Sequence, residues 1–78
     1  MLEVPEAFGR VLRRVRTGRG MSQESLAADA GLQRKYISLL EQATYQPKIT
    51  TVFKLAEALG YAPSDFIALV EKERHRGR

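Results

Sequence analysis

The chain contains no cysteine and no tryptophan, and its one histidine is His75. Without thiols there is neither a disulfide nor a thiolate metal site, and a lone histidine cannot complete the common structural zinc sets. The same shortage leaves few groups for nucleophilic or acid–base catalysis, so an enzyme is not expected, nor are a metal, a cofactor or a small-molecule ligand. No uncharged apolar run reaches the roughly 18 residues of a membrane span. The first residues also lack the basic-then-apolar order of a secretory leader. These absences lead to the expectation of a cytoplasmic protein with no membrane partner.

What is present is ordinary for a folded domain, with 44% hydrophobic and 28% charged residues in 78. That length suits a single domain spanning 1–78. The formal net charge is +4 and the isoelectric point is near 9.9. A basic balance in a small domain favours an anionic partner, nucleic acid or lipid headgroups. The excess is unevenly spread. Residues 1–20 carry five arginines against Glu3 and Glu6, whereas residues 21–48 balance Arg34, Lys35 and Lys48 against Glu24, Asp29 and Glu41.

Apolar residues recur at helical spacing along almost the whole chain. Phe8, Val11, Leu12 and Val15 follow the i, i+3, i+4, i+7 order of an amphipathic helix. Pro5 and Glu6 suit its first turn, and the Thr17–Gly20 segment breaks it. Arg10, Arg13, Arg14 and Arg16 take the rest of its circumference, as a solvated face or, for some, as phosphate contacts. Ser22 is a good N-cap for a second helix, whose apolar face is Leu26, Ala27 and Ala30. Gly31 fits the left-handed residue that ends it, and Leu32 can pack back onto it.

A third helix is expected from about Gln33 to Gln42, with Ile37 and Leu40 toward the core. Gln33, Arg34, Lys35 and Ser38 point elsewhere, toward solvent or a partner, while Tyr36 and Leu39 lie at the margins. After the ATYQPK loop, Val52, Leu55, Ala56 and Leu59 form the stripe of a fourth helix, which Ile49 extends backward and Gly60 ends. Pro63 and Ser64 start a fifth. Its Phe66, Ile67, Leu69 and Val70 make an apolar surface wider than one core stripe needs. The tail at 72–78, KERHRGR, is expected to fray. Five helices without a strand signal predict an all-α domain, non-parallel in packing.

Ser22-Gln23, Leu26-Ala27, Gly31-Leu32, Tyr36-Ile37-Ser38 and Glu41 together resemble the helix-turn-helix of the XRE family, which includes phage Cro and repressor DNA-binding domains. The resemblance continues through Pro47, Ile49, Thr51 and the LAEALG segment, and covers roughly residues 7–70. It implies a compact five-helix Cro/repressor-type fold, with the motif at about 22–41 and the third helix inserting its N-terminal end into the major groove. Position by position, it implies that Arg34 and Lys35 read base edges, with Gln33 and Tyr36 beside them. Tyr36 matches a position that contacts the operator in restriction–modification controller proteins of this family, although packing alone is the competing reading of that ring. Arginine suits the reading role because it can donate two hydrogen bonds to guanine O6 and N7.

The resemblance also implies phosphate contacts from Gln23 and Ser38, and from Lys48, Thr50 and Thr51 at the loop and the start of the fourth helix. A helix N-terminus is itself a phosphate site, which reinforces Gln23. Three positions depart from the family pattern. Gln33 and Lys48 stand where Ser or Thr is usual, and Ala43 stands where glycine is usual, an uncomfortable residue if φ is positive.

The function expected is therefore that of a sequence-specific DNA-binding transcriptional regulator. As a homodimer it would read half-sites about 34 Å apart. Phe66, Ile67, Leu69 and Val70 are the expected dimer patch, since contiguous apolar surface is rarely left bare. Stand-alone types are favoured, and the Tyr36-Ile37-Ser38 run leans toward controller-like proteins. The alternative is an antitoxin-like or other interaction module whose apolar C-terminal helix binds a partner protein.

Overall fold

The computed structural model describes residues 1–76; Gly77 and Arg78, the end of the charged tail, lie outside the described residues. Its elements are α1 (Val4–Gly18), α2 (Gln23–Ala30), α3 (Arg34–Glu41), α4 (Ile49–Ala58) and α5 (Pro63–Arg76), with no strand among the described residues. Helix α1 is the central strut and packs on both α5 and α3, while α2 packs on α3 and α4, and α4 on α5. The stripes read from spacing do become core: Phe8, Val11, Leu12, Leu26, Ala27, Ile37, Leu40, Val52, Leu55, Ala56 and Leu59 are all buried. Phe66 anchors the far side, with its ring edge-on to Phe8 at 5.7 Å and to Tyr61 at 6.0 Å between centroids.

The crossing of α1 over α3 depends on a residue that periodicity passes over. A Cβ on Gly9 would lie 2.6 Å from the Leu40 carbonyl oxygen and 2.8 Å from that of Glu41. Both are backbone atoms of the last turn of α3. Only glycine lets the two backbones approach so closely.

Four expectations are corrected. Phe66 and Val70 are 0% and 5% exposed, so they belong to the core and cannot lie on an open dimer patch. Of the expected patch, Ile67 stays exposed and Leu69 is half-buried. Ile49 does not extend the core stripe of α4: it is the first helical residue and is 66% exposed. The segment at 72–76 is not frayed, because α5 continues to Arg76 and is tied down. The Leu2 N–H donates to the Arg74 carbonyl at 2.9 Å, and the buried Glu73 carboxylate accepts from Arg14 at 2.9 Å with Arg10 3.7 Å away. Arg16, finally, does not belong to a solvated face: it is 9% exposed and paired inside the fold.

Candidate nucleic-acid interface

The helix pair α2–α3 is set by its caps. The Ser22 hydroxyl accepts from the Ser25 N–H at 2.9 Å, satisfying an amide at the start of α2. At the other end Gly31 adopts φ 71° and ψ 35°, and the Leu32 N–H donates to the Ala27 carbonyl at 2.8 Å. That left-handed turn swings the chain into α3. Gln33 is the N-cap of α3 rather than its first helical residue, and its side chain makes no capping hydrogen bond. The departure from Ser or Thr at this position therefore leaves the first amides of α3 without a side-chain partner.

Behind the exposed Arg34 lies a chain of hydrogen bonds that reaches into the core. Arg34 Nη1 donates to Gln23 Oε1 at 3.4 Å, a long contact, and Gln23 Nε2 donates to Glu41 Oε1 at 3.1 Å. Glu41 also accepts from Arg16 Nε at 2.7 Å and Nη2 at 3.1 Å, while Arg16 Nη1 donates to the Met21 carbonyl at 2.8 Å. The Arg16 and Glu41 side chains are 11% and 5% exposed. Removing one partner of such a buried pair costs about 3–5 kcal/mol, because the other charge is left uncompensated. The pair locks the end of α1 to the end of α3 and orients the Gln23 amide at the start of α2.

The residues expected to contact DNA fall into four groups. Gln33, Arg34 and Lys35 are exposed and contiguous around the start of α3, with Gln23 alongside. Ser38 is half-buried farther along, and its hydroxyl accepts from Gln42 Nε2 at 3.2 Å. Lys48, Thr50 and Thr51 gather at the start of α4, where Lys48 is the N-cap without a side-chain hydrogen bond, Thr50 is exposed and Thr51 half-buried. Tyr36 is half-buried, 6.4 Å from the ring of Tyr45.

Two residues that matter to this geometry escaped the sequence reading. Arg16 was readable in principle: it follows Phe8 and Leu12 at i+4 intervals and so lies on the inward face of α1. Tyr45 carries no such signal, since it sits in an aperiodic loop. The N-terminal arginines are also less available than their number suggests. Arg16 is spent on Glu41, Arg14 and Arg10 converge on Glu73, and Arg19 lies 5.8 Å over the Tyr61 ring.

A helix-turn-helix family model matches residues 12–66. The control protein C.BamHI of Bacillus amyloliquefaciens is 38% identical over 77% of this chain and 75% of its own. Among solved structures, the restriction–modification controller protein C.AhdI of Aeromonas hydrophila is 37% identical, covers 80% of this chain and 94% of its own, and superposes with a TM-score of 0.77. The controller protein C.Esp1396I, solved as a tetramer in complex with its natural 35-base-pair operator, is 26% identical, covers 94% of this chain and 96% of its own, and has a TM-score of 0.85. With the capped α2–α3 pair and its exposed basic start, the chain belongs to the helix-turn-helix family and is a DNA-binding transcriptional regulator of the XRE, Cro and phage-repressor type.

Proposed function

We propose that two copies of this chain bind one double-stranded DNA operator, each laying the first turn of α3 into the major groove of a half-site. The observation that carries this reading is Arg34, exposed at the start of α3 and hydrogen-bonded to Gln23 of α2. Arg34 and Lys35 read base edges, flanked by Gln33 and Tyr36. Gln23, Ser38, Lys48, Thr50 and Thr51 contact phosphates, and so fix register without carrying sequence information. Two copies related by a twofold axis read half-sites about 34 Å apart. The operator complex of the C.Esp1396I tetramer supports a multi-copy assembly of this kind.

The dimer face proposed from α5 narrows to Ile67 and Leu69, and α4 adds Ile49 and Phe53, one turn apart and 66% and 47% exposed. A controller role, with the chain regulating a restriction–modification system, is supported by the names of C.BamHI and C.AhdI together with the Tyr36-Ile37-Ser38 run.

Selection of bound DNA from a random library followed by gel-shift titration tests the reading. Arg34→Ala is expected to lose about 1–3 kcal/mol of discrimination, concentrated at one base position of each half-site. Gln23→Ala is expected to weaken binding across sequences. Folded wild-type protein that prefers no sequence at any salt concentration would sink the proposal.

A further inference from the structure

Tyr45 is 52% exposed in the loop between α3 and α4, yet its ring lies 6.4 Å from that of Tyr36, with the planes tilted by 44°. The two residues are nine positions apart, and no helical register brings them together. The turn after α3 does. Ala43 takes φ 62°, its N–H donates to the Leu40 carbonyl at 3.1 Å, and the Thr44 N–H donates to the Leu39 carbonyl at 3.0 Å. This reversal folds the loop back along α3 and delivers Tyr45 to the third residue of the helix, beside Arg34 and Lys35.

We propose that Tyr45 is a positioning residue for sequence selection, which holds Tyr36 in the rotamer that meets a thymine methyl in the major groove. The inference rests on the DNA-reading role of α3 proposed above. Tyr36 is half-buried at the edge of the proposed reading helix, and whatever rotamer freedom its outer part keeps must be given up on binding. A second ring packed against it restricts that freedom beforehand. Tilted aromatic pairs at this separation are favourable beyond their area burial, and an apolar face is what distinguishes the thymine methyl from other groove features. The exposure of Tyr45 agrees with such a role, since the residue is neither part of the core nor packed against it.

A double-mutant cycle tests the coupling, using the full chain and the operator that wild-type protein selects. Tyr36→Ala and Tyr45→Ala are each expected to weaken binding about 2- to 12-fold, the range such ring pairs carry. The double variant should be no weaker than the poorer single one, and Tyr45→Phe should retain wild-type affinity. Replacing thymine by uracil in turn along the operator should reproduce the Tyr45→Ala loss at one position and add nothing to it in that variant. In the free protein, Tyr45→Ala should shift the Tyr36 ring-proton resonances. Additive single effects, or a Tyr45→Ala variant that lowers the melting temperature but discriminates thymine from uracil as wild type does, would overturn this inference alone. Wild-type protein that selects no operator overturns the DNA-reading role and this inference with it.

Discussion

Ala43 holds a backbone conformation that L-residues avoid, with φ 62°, at the point where α3 must end and turn back. A side chain in the left-handed region costs about 1–2 kcal/mol, so Ala43→Gly should relieve strain. The greater chain entropy of unfolded glycine offsets part of that gain. The expected net result is about 0.5–1 kcal/mol of added stability, read as a higher midpoint in urea unfolding. Gly9 shows the opposite sign. Alanine normally gains about 1 kcal/mol over glycine within a helix, but a Cβ at Gly9 would meet the Leu40 carbonyl oxygen at 2.6 Å. Backbone cannot yield as a flexible side chain can, so Gly9→Ala should lose about 1–3 kcal/mol, the usual cost of overpacking. Thermal melts of the two variants side by side check both signs.

Helix α5 keeps its order to Arg76 because Glu73 gathers charge from another element. The hydrogen bond from Arg14 pulls the Glu73 carboxyl below its ordinary pKa; burial opposes this, and the nearby charges of Arg14, Arg76 and Arg10 assist it. A carboxylate that is more acidic folded than unfolded contributes its full stabilisation at neutral pH. That contribution is lost as pH falls through about 4 and below, where an unfolded glutamate takes up its proton first. The difference in melting temperature between wild type and Glu73→Gln should therefore be largest near pH 7 and shrink toward pH 3. A constant difference across that range would show that the ion pair is not its source. The contrast with α3 is instructive. Its amphipathic stripe is short, and its angle depends on the Gly31 turn and on the Arg16–Glu41 pair rather than on its own propensity.

The whole molecule leaves apolar surface uncovered in places that spacing alone does not single out. The four-residue patch expected on α5 is divided by the fold, with Phe66 and Val70 inward and Ile67 outward, while Ile49 and Phe53 on α4 are left in water. If the chain dimerises through these exposed residues, Phe53→Asp or Ile67→Asp should sediment as a monomer with an unchanged circular dichroism spectrum. Phe66→Asp should instead lose helical signal, because it buries a charge among Phe8, Tyr61 and their neighbours. Dimer mass retained by both surface variants would exclude these two side chains from the interface.

The order and type of all five helices, most of the core and the exposed start of α3 were legible in the amino-acid order. Apolar spacing, the Ser22 cap and the Gly31 stop are local signals that hold wherever the chain goes. The family resemblance pointed to the same helix pair and to Arg34 within it. The tertiary structure alone decided which charges and rings are spent inside the fold. It buried Arg16 against Glu41, drew Arg10 and Arg14 to Glu73, and brought Tyr45 back to Tyr36. It also decided which side of α5 is covered. These are meetings between residues nine or more positions apart, set by helix crossing angles and one left-handed turn. A periodic pattern names the face that a helix buries; it does not say which partner arrives there.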